Sequence, residues 1–133
     1  MHTTRITNSL LANAAEINRL KACIDDTVQR RDSSKRDHAA WEAACRNFHS
    51  RYGALAFPGG CEGMYERITG GDERTMEAAL CFLECRPYFF RSGYLRTAIL
   101  RRIKRAPLST GQQARLTQVL AGVAARKAAR RQP

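Results

Sequence analysis

From Ile6 the apolar positions Leu10, Ala14, Ile17, Leu20, Ile24 and Val28 return every three or four residues. That period places them in one stripe along a helix of about six turns. The stretch from Arg30 to Arg36 is wholly polar and ends the stripe. Ser34, with Asp37 three positions on, supplies an N-cap and a first-turn acid for a second helix starting near Lys35. That helix carries Trp41, Cys45, Phe48 and Tyr52 on one face, a face expected to pack antiparallel on the first helix. Gly53 is read as its stop. Residues 54–63 hold Pro58 and the glycines 59, 60 and 63, a loop expected to tuck Leu55 and Phe57 back into the core. A short helix over Cys61 to Ile68 follows.

Gly70 and Gly71 close that helix and Asp72 caps the next, where Met76, Ala79, Leu80 and Leu83 form a new stripe as far as Pro87. Ser92 is placed to cap a fifth helix bearing Leu95, Ala98, Ile99 and Ile103. Ala106-Pro107-Leu108 breaks it, and Ser109 with Gln112 makes a capping box for a last helix carrying Leu116, Val119, Leu120 and Val123. No stretch alternates with period two long enough for a strand. The expected fold class is all-α: a single domain of five or six helices packed as successive antiparallel hairpins over residues 1–125, with a basic, frayed tail at 126–133.

Charge changes this picture. Every Asp and Glu lies at or before Glu84, whereas the segment from Arg86 to Arg131 holds twelve Arg or Lys and no acid. The net charge of +11 is therefore a property of one end of the chain. A surface of one sign draws anionic partners: an acidic protein face, a nucleic-acid backbone or an anionic membrane. No stretch has the roughly 20 apolar residues of a membrane span, and the N-terminus leads into an amphipathic segment instead of a signal-peptide core. A cytoplasmic location is expected. The five cysteines form no Cys-x-x-Cys pair, so they are expected to be reduced thiols packed as small hydrophobes.

The densest segment runs from Arg86 to Arg96, where Tyr88, Phe89, Phe90 and Tyr94 alternate with Arg86, Arg91 and Arg96. Such rings and guanidinium groups stack on bases and pair with phosphates; equally, bulky side chains seal a break between helices. On the fifth helix Leu95, Ile99 and Ile103 mark one side, while Arg101, Lys104 and Arg105 spread over the other. The last two helices also fit a helix-turn-helix, with Gln112, Gln113, Arg115 and Gln118 reading base edges. Cys45 with His49 and Cys81 with Cys85 each sit four apart on a helix, the spacing of two half-sites for zinc; burial as apolar thiols needs no metal. No cofactor or metal is expected. The histidines, His2, His38 and His49, sit in no catalytic pattern. Gly70-Gly71-Asp72-Glu73 shares four residues with the diguanylate cyclase signature but joins two helices here. Pro58-Gly59-Gly60 lacks the Lys-Ser/Thr ending of a phosphate loop.

Phe82-Leu83-Glu84, then Pro87 through Tyr94, then Ile99-Leu100-Arg101-Arg102-Ile103-Lys104-Arg105 resemble a helical-hairpin unit of uncharacterised bacterial proteins with HEAT-like helical pairs. The resemblance spans residues 72–124. It implies a helical scaffold used for protein contact, with no catalytic residue to carry over.

The function expected from these features is non-catalytic: a helical protein-binding protein of inhibitor, immunity or adaptor type. Its partner-binding residues would be Arg91, Arg96, Arg101, Lys104 and Arg105, steering an acidic protein, with Tyr88 and Tyr94 as apolar anchors. The alternative is nucleic-acid binding through the same Arg/Lys-rich segment. A membrane-surface role ranks last, since the final helix has no aromatic anchor.

Overall fold

The structure is a computed structural model and describes residues 2–132. The described residues form six helices: α1 (His2–Val28), α2 (Lys35–Ala56), α3 (Met64–Thr69), α4 (Glu73–Cys85), α5 (Ser92–Ile103) and α6 (Thr110–Arg131). The fold is all-α. α1 and α2 form a helical hairpin, and α1 also packs on α4. α4 is the centre of the molecule, touching α1, α3, α5 and α6. It alone buries Met76 and the whole run Ala78 to Leu83, which is why it needs no polar face over those turns.

The stripes do what their spacing requires. Leu10, Ala14, Ile17 and Leu20 of α1 are buried, with Ile99 and Ile103 of α5 and Leu116 of α6 in the same core. Ser34 caps α2 by accepting from the Asp37 backbone N–H, and Asp72 caps α4 through the Thr75 N–H. Ser109 and Gln112 form the reciprocal capping box of α6. The α3–α4 turn lies so close to the α5–α6 linker that a Cβ on Gly71 would meet Pro107 Cγ at 2.8 Å.

Four boundaries differ from expectation. Gly53 does not stop α2, which runs on to Ala56; a lone glycine weakens a helix but does not break one when packing holds both sides. α3 begins at Met64 because Gly63, in the left-handed region, turns the chain only there. Ser92 does not cap α5. It is the first residue of the helix, and its Oγ accepts from the Phe89 N–H at 3.1 Å, while Arg91 in the left-handed region takes the cap position. Residues 126–131, expected as a frayed tail, continue α6 as exposed helix.

Candidate partner-binding surface

The loop between α4 and α5 sets the geometry. Arg86 ends α4 with φ 48° and donates its N–H to Phe82 O; Arg91 opens α5 with φ 66°. They are the non-glycine residues with positive φ among the described residues. Left-handed backbone costs an L-residue about 1 kcal/mol or more, and the C-terminal position is one that glycine ordinarily takes. The conformation is held from both sides. Asn18 Nδ2 of α1 donates to Tyr88 O at 2.9 Å, and Tyr52 OH of α2 donates to Phe90 O at 2.6 Å. Burial pushes the Tyr52 hydroxyl up to about 12, so it remains a donor. Phe89 turns inward against Tyr52 and Phe82. Tyr88 is left 86% exposed, and Tyr94, in the first turn of α5, 78% exposed.

Below this loop α5 and α6 both sit on α4 but make few contacts with each other. A groove of about 320 Å³ separates them, with Leu83, Leu100, Val119 and Val123 in its lining. Its rim is Arg86, Arg96, Arg126, Lys127 and Arg130. No Asp or Glu lines it. Arg86 is held below the usual arginine range, first by partial loss of water and then by repulsion from Arg126, Arg96 and Arg130. Glu84, on a shallow extension of the groove, is already taken. Arg115 of α6 grips both its carboxylate oxygens at 2.9 and 2.7 Å and also binds Glu77. Those hydrogen bonds, Glu84 first, raise the Arg115 pKa against the opposing effect of burial. Among the described residues Arg115 is the one basic side chain after Glu84 that carries an ion pair.

The expected site residues are therefore divided. Arg96 lines the groove. Arg101, in the last turn of α5, and Lys104 and Arg105, in the turn that follows its end at Ile103 instead of on the helix, are exposed outside it. Tyr88 and Tyr94 are exposed, and Arg91 lies over the Phe90 ring at 5.3 Å. Arg115, read as a base contact in a helix-turn-helix, is spent on Glu77 and Glu84 instead. The groove recruits Arg86, Arg126, Lys127 and Arg130, which were outside the expected set. Their signal was present: Val119 and Val123 continue at helical spacing into Arg126, Lys127 and Arg130, an apolar stripe that turns cationic on one face.

A second concavity, about 390 Å³, is lined by Phe48, His49, Tyr52, Gly53, Phe90 and Arg91. Gly53 lies inside α2, and a Cβ built there would meet nothing within 4 Å. The helix thus forgoes up to about 1 kcal/mol relative to alanine with no internal packing in return.

The remaining expectations concern chemistry. Among the described residues no group of three or more His, Cys, Asp or Glu is placed to hold a metal. The five cysteines are free thiols; burial raises the Cys81 and Cys85 pKa values, the reverse of an activated thiolate. The Pro58-Gly59-Gly60 loop is closed by Arg67, which donates to Gly60 O and Glu62 O. No described helix is long and apolar enough to cross a membrane. Comparison of the chain with models of known families, with curated proteins and with solved structures returns no match.

Proposed function

We propose that the protein is a non-catalytic helical binding protein whose basic C-terminal half receives an acidic protein partner, specifically an acidic amphipathic helix seated between α5 and α6. The observation that carries this reading is the groove itself: five cationic side chains around an apolar floor, with no acid in the lining. Helix-in-groove recognition needs that combination, apolar anchors for one face of the incoming helix and charges for its flanks. A phosphate backbone would use the rim and leave Leu100, Val119 and Val123 uncovered, so the floor favours protein over nucleic acid. The resemblance of residues 72–124 to HEAT-like hairpins agrees with a scaffold of this kind. Arg101, Lys104 and Arg105, exposed nearby in sequence, add to the field that steers the partner inward. Tyr88 and Tyr94 are exposed aromatics of the kind that anchor interfaces.

The test is selection of a displayed random-peptide library on the protein, with counter-selection on the Arg96→Glu/Arg126→Glu/Arg130→Glu variant. The expected winners place apolar residues at i, i+3 or i+4, and i+7 with Asp or Glu between them, and bind the triple variant at least about tenfold more weakly, a loss of about 1.4 kcal/mol. The same protein is titrated with mixed-sequence RNA and DNA. Submicromolar nucleic-acid binding that falls by about three to five decades between about 50 and 200 mM salt, with no acidic peptide enriched, would replace this reading with phosphate recognition.

A further inference from the structure

The cleft on the other side of the α4–α5 loop, between α2 and Phe90, has a different chemistry from the groove. Its walls are aromatic: Phe48 packs on Tyr52 at 5.5 Å between ring centroids and meets Phe90 edge-on at 5.9 Å. Phe90 remains 43% exposed, with cations over it from Lys21 at 5.7 Å and Arg91 at 5.3 Å. The polar groups at the mouth are the exposed His49 and Arg91 side chains, neither of which is engaged in an ion pair among the described residues.

We propose that this cleft is a binding site for a small planar aromatic carboxylate, its ring lying against Phe48, Tyr52 and Phe90 and over the bare backbone of Gly53, its carboxylate on Arg91. Three features converge on that class of ligand. The volume, about 390 Å³, falls in the range of small-molecule sites. Glycine inside α2 opens the floor where any side chain would stand in the cleft, and nothing within the protein uses the space. Arg91 is held in left-handed backbone, a strained position of the kind retained where a side chain is needed at one place. Its guanidinium carbon lies 5.3 Å from the Phe90 ring centroid and the group makes no ion pair among the described residues; a guanidinium fork matches a carboxylate. Three aromatic walls and one fork describe a flat anion with its charge at one end. The site is separate from the α5–α6 groove, so it stands or falls independently of the proposed partner.

The probe is 2-naphthoate, with 2-naphthalenemethanol as its neutral counterpart, titrated into the full chain and followed by amide chemical shifts. Saturable shifts are expected at residues 48–53 and 89–92, with a Kd at or below about 1 mM, which a ligand of this size reaches at ordinary efficiency. Gly53→Leu fills the floor from a Cβ that meets no protein atom within 4 Å and should weaken naphthoate at least about tenfold while the thermal midpoint holds or rises. Arg91→Gly relieves the backbone and removes the fork; naphthoate should then bind no better than the alcohol, whose own affinity is unchanged. The proposal is overturned if naphthoate gives no saturable shifts, if Gly53→Leu binds it as the parent does, or if acid and alcohol bind the parent equally.

Discussion

At the scale of single residues, the informative positions are those where the chain accepts a local cost. Arg86 occupies a helix C-terminal position in left-handed backbone and faces three other arginines. Neither its backbone nor its charge environment favours arginine there, whereas its position on the rim of an uncompensated groove gives a reason for it. Arg86→Gly is therefore expected to stabilise the protein by up to about 1 kcal/mol, part of the backbone relief being offset by glycine's greater freedom when unfolded. That corresponds to a rise of roughly 3–5 °C in the thermal midpoint for a domain of this size. The same substitution should weaken binding of an acidic helical peptide in the groove. Calorimetry beside a peptide titration checks both halves, and a destabilised variant would show that the arginine is held there for packing.

At the scale of elements, two clusters of charged pairs link neighbouring helices around the apolar core. Glu16 of α1 binds Arg19 in its own helix at 2.6 and 2.9 Å and Arg51 of α2 at 2.7 Å. These bonds, Arg19 first and Arg51 second, pull the Glu16 carboxyl down to about 2. Because the folded pKa is the lower one, the bound carboxylate stabilises the hairpin fully above the ordinary glutamate value of about 4.3. That contribution is lost as pH falls through about 2. Urea unfolding followed between pH about 5 and 2 should show stability declining, and Glu16→Gln should flatten part of the decline. Equal slopes for the two proteins would place the acid sensitivity elsewhere. Arg115 does for α4 and α6 what Glu16 does for α1 and α2: it joins Glu77, Glu84 and the Cys81 sulfur in one cluster.

At the scale of the whole molecule, one end of α6 belongs to the core and the other to the surface. Arg115 and Leu116 hold the helix on α4, while every residue from Ala124 to Gln132 is exposed. Removal of residues 126–133 is thus expected to leave the circular-dichroism melting midpoint unchanged or slightly higher, since it deletes four like charges. It should also abolish groove binding, because three of the five rim cations go with it. A large loss of stability would mean that the last turns of α6 hold the fold together.

The all-α class, the α1 and α4 stripes, and the caps at Ser34, Asp72 and Ser109 were legible in the sequence, because helical period and capping act over three or four residues. The ends of α2 and α5 were not: Gly53 and Ser92 carry ordinary stop and cap signals, which the packing around Phe57 and the loop at Phe89 override. The same limit applied to the site. Sequence alone determined that the net positive charge comes from the part after Glu84 and that Tyr88 and Tyr94 sit in its aromatic segment. Only the tertiary structure decided which cations meet. Arg86, Arg96 and Arg126 lie on three different helices or their ends, and α4 brings them together by seating α5 and α6 apart. It likewise engaged Arg115 by placing two carboxylates beside it. Convergence across helices depends on how their axes cross, and no local pattern of residues encodes that.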